Sequence, residues 1–338
     1  MYIALLFFVY LNAVTLIMSI EDIVPSTVRM LKCMNIILMG DYLIRKHGYE
    51  YSIKLFLVVA EILNYINAFF MLIYPNGLYR TIVMNGIDTV VKNPAGFVRT
   101  TERVHWLLGH QSTLIRILLP SICLALIYNV LQRRGGKKLS KRSVLLILVC
   151  CFEAIRANSA GNLVVLALFI GLIIFQYKKA YIKVWQVLTG VFIFYTSAAM
   201  VIATSKVMDF LGSILGRQVD LLARVQIWAA TIVAFLKSPI IGWGYIDELG
   251  KIRNILPGVG NPHSDYFWVL YEGGIIGIVL FVLLIRAVGK QSEGKCGKIE
   301  IIAYSAFICF LIMILADDHI FRTQFALLLL PLCYHASD

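Results

Sequence analysis

"NPHSDYFWVLYEGGIIGIVLF", residues 261–281, sets a histidine, a serine and an aspartate at the lip of a run apolar enough to enter a membrane. Polar side chains at the mouth of a bilayer segment are costly to keep dry and useful when wet, so the position invites a functional reading. The run also decides the fold class. A helix needs about 20 apolar residues to cross the hydrocarbon. Such runs recur near 2–20, 23–44, 52–74, 112–132, 143–156, 159–177, 184–205, 266–288, 299–316 and 320–336. The second carries Arg29, Lys32 and Asp41; the fifth is short, which suits a tilted or shallow segment or one joined to its neighbour by a tight turn.

Composition agrees with that reading. The 338 residues are 60% hydrophobic and 15% charged, against roughly a quarter charged in soluble domains. The expected fold is therefore an all-α polytopic integral membrane protein with about ten transmembrane helices, residues 1–338 forming a single transmembrane domain. The stretch 2–20 lacks a basic leading region and a small-residue cleavage site, so it reads as a retained span. Lysine and arginine outnumber the acids by 31 to 19. These basic residues fall in short loops rather than on a polar face, which argues for membrane orientation and against nucleic acid as a partner. The seven cysteines, lying mostly in or beside apolar runs, read as small buried hydrophobes rather than disulfides or metal ligands.

The loops set the orientation. "RRGGKKLSKR" (133–142) holds six basic residues and no acid, "KKAYIK" (178–183) holds three, and Lys290, Lys295 and Lys298 follow the eighth span. Placing these three loops in the cytoplasm puts both termini inside and sends 75–111 and 206–265 to the external face. Both external loops greatly exceed the usual connection of about 4–6 residues, a length that marks a functional segment. The longer one contains "VDLLARVQIWAATIVAFLKSP" (219–239), whose periodicity predicts a helix able to lie along the membrane surface; Pro239 ends it and "GWGY" (242–245) reads as a tight turn.

Several residues in these segments suit chemistry. Pro262 restricts Asn261 to an extended backbone, and Ser264 or Asp265 can cap a helix starting at Tyr266, so His263 is held at a helix entrance. An imidazole titrating near pH ~6.5 can accept a proton from a hydroxyl at neutral pH; the plain alternative is an amphipathic ring resting in the headgroup zone. Gly273, Gly274 and Gly277 lie early in the same span, and the Gly273–Gly277 spacing lets another helix approach closely. Arg224, Arg217 and Arg156 stand on the external side, where a guanidinium can grip a diphosphate or a lipid headgroup. Asp317 and Asp318 beside His319 read as a solvated turn, so no metal site is expected. Phosphate-loop, zinc-protease and nucleophile-elbow motifs do not occur in the sequence.

"HSDYFWVLYEGGIIG" fits the pattern H-[NSQ]-x9-G-x-x-G through His263, Ser264, Gly274 and Gly277. Upstream, "ARVQIWAATIVAFLKSPIIGWGY" supplies Arg224-x-x-x-Trp228 followed by Pro239-x-x-Gly242-x-Gly244. In this order, from residue 223 to 277, the chain resembles the O-antigen ligase and polymerase superfamily. The resemblance implies a GT-C-like membrane glycosyltransferase on the external face of the bacterial cytoplasmic membrane, with part of its active site on the 206–265 loop. Such an enzyme passes a glycan from an undecaprenyl-pyrophosphate carrier to an acceptor hydroxyl with inversion, using no cofactor and no metal. By the same resemblance His263 is the base or orienting group for the acceptor and Arg224 holds the pyrophosphate. Arg156, in "IRANSAGN", is the nearest counterpart of the family's earlier arginine, and Arg217 is a further candidate for the pyrophosphate. The implied partners are the lipid-linked donor, a glycan acceptor, membrane lipids and, as a candidate, a chain-length regulator protein.

A polymerase that extends O-antigen, capsule or exopolysaccharide from lipid-linked repeats is favoured by the compact chain and modest external loops. A ligase delivering the glycan to lipid A-core or protein carries the same motifs. The rival of another class is a transporter for lipid-linked glycans, which should bring discontinuous spans and charges near the midplane. The sequence instead suggests candidates crowded at one interface.

Overall fold

The computed structural model of the chain describes residues 2–84, 100–110, 113–136, 138–178, 181–201, 221–245, 262, 264–315 and 324–337. His263, Arg217, Asp317, Asp318 and His319 lie outside them, as does most of the 206–265 loop. Among the described residues the chain is mostly helical, with eleven α-helices. These are α1 (Tyr2–Met18), α2 (Ile23–His47), α3 (Tyr49–Ile73), α4 (Ile115–Arg134), α5 (Lys141–Arg156) and α6 (Ala160–Tyr177). They continue with α7 (Val184–Val201), α8 (Leu221–Leu236), α9 (Asp265–Ser292), α10 (Lys298–Met313) and α11 (Leu329–Tyr334). Among the described residues four stretches are long and apolar enough to cross a membrane, namely Ile20–His47, Tyr49–Ile73, Ile115–Arg134 and Asp265–Ser292; shorter apolar helices accompany them.

Burial follows the solvent the helices are built for. In α3 the inward stripe Ile53, Leu57, Ala60, Asn64, Asn67 and Met71 is buried, while Leu55, Val59, Ile62, Ile66 and Phe69 are exposed on the opposite face. In water that outer face would carry charge; here it is apolar, as a lipid-facing surface requires. α4 and α10 lie at the centre, each with 13 buried residues that are apolar apart from Arg116, Ser121 and Asn129 of α4 and Ser305 of α10. α4 packs on α3, α5 and α10, and α10 on α6, so the two form the axis of the bundle.

Hydrogen bonds between helix ends reproduce the alternation read from the loops. Arg156 at the end of α5 meets Pro75 just after α3, and the Asp265 amide at the start of α9 meets the Ile314 carbonyl just after α10. At the other end Val184 meets Glu293, and Tyr304 meets Ile182, which gathers the basic segments 178–183 and 289–298 together. Ala157–Ser159 connects α5 to α6 in three residues, with Asn158 at φ 46°. The short fifth run thus joins its neighbour by a tight turn.

Three features differ from the sequence expectation. The 75–111 loop carries an antiparallel sheet, β1 (Tyr79–Met84), β2 (Thr100–Trp106) and β3 (Gly109–His110), in order β1-β2-β3 with Tyr79 opposite His105 and Met84 opposite Thr100. β-branched residues such as Thr81, Ile82 and Val83 favour strand; Trp106 Nε1 donating to the Tyr74 carbonyl and the Leu108 amide donating to Asn67 Oδ1 seat the sheet on α3. The described part of 320–336 is a 3-10 turn, Gln324–Leu328, followed by the six-residue α11, not one continuous spanning helix. Hydropathy could not tell lipid from protein here: Leu327 to Leu330 are buried against protein, and Gly40 of α2 is packed so closely on Pro331 that a Cβ would lie 2.8 Å from its Cγ. Of the cysteines, five are buried, but Cys151 and Cys296 are exposed.

Candidate active site

The two sequence motifs meet in space. α8 carries Arg224 and, one turn later, Trp228, whose indole Nε1 donates to the Pro262 carbonyl at 2.9 Å. The Trp228 ring stacks on Phe267 with centroids 5.6 Å apart and meets Tyr195 of α7 edge-on at 5.0 Å. On the far side of His263, Ser264 Oγ pairs with the Tyr195 hydroxyl at 2.5 Å, and that hydroxyl also donates to the Leu315 carbonyl. Both chain neighbours of the histidine are therefore fixed. Ser264 occupies the N-cap position of α9, but its side chain makes no capping bond, because its hydroxyl is turned to Tyr195; the helix starts at Asp265 rather than at Tyr266. The side chain of Arg224 lies outside the described residues.

α9 is not one uninterrupted helix. Gly274 has φ 58° and ψ −155°, a conformation essentially confined to glycine, and breaks the helix about 14 Å beyond its start. A break inside a bilayer is tolerated where protein satisfies the freed backbone groups, and the "PIIGWGY" segment (239–245) does so. The amides of Trp243 and Gly244 donate to the carbonyls of Tyr271 and Glu272 at 2.9 Å each. In return the amides of Ile275 and Ile276 donate to the carbonyls of Pro239 and Ile240 at 2.9 and 3.3 Å. The Gly273 carbonyl takes the Tyr10 hydroxyl of α1 at 2.9 Å.

The glycines follow from this close approach. A Cβ on Gly274 would lie 2.4 Å from the Ile240 oxygen, one on Gly242 2.6 Å from the Glu272 and Gly274 backbone, and one on Gly244 2.6 Å from the Thr15 Cα. A Cβ on Gly273 would lie 2.7 Å from Leu11 of α1, whereas one on Gly277 would first meet the Val269 carbonyl of its own helix at 3.3 Å, with Leu11 at 3.7 Å. Gly274 thus does something other than helix packing: it opens the helix to the loop.

Beside the break sits an ion pair the sequence reading missed. Arg29 of α2 holds Glu272 with both arms of its fork, Nη1 to Oε1 at 2.9 Å and Nη2 to Oε2 at 2.6 Å. The Glu272 side chain is fully buried and that of Arg29 is 12% exposed. The guanidinium also lies 4.3 Å from the centre of the Tyr245 ring, and the Tyr245 amide donates to Thr15 Oγ1 at 2.8 Å. One signal was available: a charge within each of two apolar runs, opposite in sign, invites pairing.

A second pair, Arg142 with Glu61, joins the start of α5 to the middle of α3, and buried Glu153 of α5 accepts from Asn67 at 2.8 Å. Charge pairs thus do lie within the helical bundle. Arg156 donates to the Pro75 carbonyl at 3.1 Å, on the α3–α5 flank. Among the described residues no group of three or more His, Cys, Asp or Glu is arranged to hold a metal.

Fold and site together define a multi-pass all-α membrane protein in which a loop after one helix completes a break in another. A family model described as O-antigen ligase matches residues 143–282, from α5 to the later half of α9, and takes in α8, the inserted loop and the break. Over those 140 of 338 residues the chain is similar to the O-antigen ligase family, in agreement with the motifs at 223–277. No match was found among curated proteins.

Proposed function

We propose that the chain is an inverting glycosyltransferase that joins undecaprenyl-pyrophosphate-linked repeat units into a surface polysaccharide, O-antigen, capsule or exopolysaccharide, at the external face of the bacterial cytoplasmic membrane. The observation that carries this reading is the bond from Trp228 to Pro262: it ties the helix bearing Arg224 to the residue before His263. Cleaving the anomeric bond leaves charge on a diphosphate, and a fixed guanidinium there favours the transition state over the ground state. Arg224 takes that role, with Arg217 and Arg156 as further contacts to the pyrophosphate. The acceptor hydroxyl loses its proton as it attacks, and a neutral His263 in reach contributes typically ~10²–10⁴-fold. No cofactor or metal takes part in this scheme. A chain-length regulator is its candidate protein partner.

Ligation to lipid A-core or protein is the second reading, favoured by the description of the matching family. Transport of lipid-linked glycans is supported less well, although α9 is a discontinuous span. Transporters leave the groups freed at such a break to bind substrate, whereas here Tyr271, Glu272, Gly273, Ile275 and Ile276 all spend theirs on protein.

The test is to incubate purified protein with a synthetic lipid-linked repeat unit and analyse the products. A ladder of longer lipid-linked glycans is expected, and His263→Ala and Arg224→Ala should abolish it while inserting normally into membranes. Transfer only to added lipid A-core would replace polymerase by ligase; translocation with no new linkage would reject both.

A further inference from the structure

The pair between Arg29 and Glu272 is a demanding thing to build. Two charges are withdrawn from water, and such a pair repays its desolvation only with good geometry and further bonds. Here the geometry is the two-armed fork, and the extra contact is the Tyr245 ring beneath the guanidinium. A bundle needing only stability could use apolar residues in these places at similar or lower cost. The pair ties together three segments that are distant in sequence: α2, the last turn of α9 before its break, and the end of the inserted loop.

Two of those segments lead, along the chain, to the residues that flank His263. Glu272 lies in the part of α9 that begins two residues after the histidine, between the Ser264 anchor and Gly274. Tyr245 ends the inserted loop on one side of residues 246–261, and Pro262 on the other side is held by Trp228. The stretch that delivers His263 is thus fastened at both ends, at Tyr245 by Arg29 and Thr15, and at Pro262 by Trp228.

We propose that Arg29 and Glu272 are positioning residues for the transfer reaction: the fork locks the upper part of α9 against the inserted loop and so fixes the histidine relative to the pyrophosphate-binding arginine. This rests on the glycosyl-transfer reading above. Arg29 lies outside the residues matched by the family model, so the N-terminal helices contribute to the site and do not merely enclose it. The pair touches no substrate in this scheme; it acts through α9 and Tyr245.

The test uses full-length protein in detergent or nanodiscs, with a lipid-linked repeat unit as donor, and compares wild type with Arg29→Gln, Glu272→Gln, the double variant and Arg29→Lys. For each, kcat, KM for the donor and the thermal unfolding midpoint are measured. Misplacement by about 1 Å can slow a reaction on the order of 100-fold, so both single variants should lose about that much in kcat with KM little changed. The double variant leaves no lone buried charge, and its midpoint should recover toward wild type while its kcat stays low. Recovery of kcat together with the midpoint would show a structural role and overturn the proposal. Arg29→Lys keeps the charge but not the fork; should the glutamine variants fail to fold, it decides alone, since a folded lysine variant with wild-type kcat also overturns the proposal. Absence of transfer by the wild type would instead reject the glycosyl-transfer reading.

Discussion

The two arginine–glutamate pairs differ in what they fasten. Arg142 and Glu61 connect the start of α5 to the middle of α3, two regular helices already packed on α4. Arg29 and Glu272 connect α2 to a helix about to break and to a loop inserted into that break. The first pair adds a contact to a bundle that packs without it; the second closes a structure that regular packing does not produce. A buried glutamate held by an arginine can therefore serve assembly in one place, where the Arg142 side chain is half exposed, and geometry in another, where Arg29 is largely covered and the backbone beside it is irregular.

The comparison can be broken at its irregular side first. Gly274→Val adds a side chain where only glycine adopts the backbone and where a Cβ would meet the Ile240 oxygen. It should lower kcat on the order of 100-fold by shifting the upper part of α9, and should also lower the thermal midpoint. A variant with near-normal turnover would mean that the break is not needed for the reaction. The regular side should respond differently. Arg142→Gln leaves the Glu61 carboxylate buried without its partner, at a cost of about 1–3 kcal/mol. Detergent unfolding should show that loss of stability, while kcat of the folded protein changes less than about two-fold, far below a misplacement effect. A large kcat loss at unchanged stability would erase the contrast between the pairs.

Much of the helical frame was legible in the sequence because lipid imposes a length and a composition on every crossing segment. The inward and outward stripes of α3 and the tight turn between α5 and α6 follow from that constraint. The order of the two motifs was legible as well. That they form one interlocked structure was not, because Gly273-x-x-x-Gly277 has the same spacing whether a helix packs there or opens one residue later. The partners that settle the matter, Pro239 to Gly244, lie some thirty positions upstream. Arg29 and Glu272 are 243 residues apart, beyond any local pattern. At the C-terminus, hydropathy registered a greasy run without revealing that its neighbours are protein.

The central claim is that α8 and the entrance of α9 bring Arg224 and His263 to one site, and cross-linking tests it most directly. Arg224→Cys and His263→Cys are combined in a background lacking the native cysteines and treated in membranes with a short thiol-to-thiol reagent, then cleaved between the two positions. The two fragments should stay joined, and each single-cysteine control should fall apart. Fragments that separate in the double variant, although both thiols react with a monofunctional probe, would place the two groups in different parts of the molecule and contradict the account.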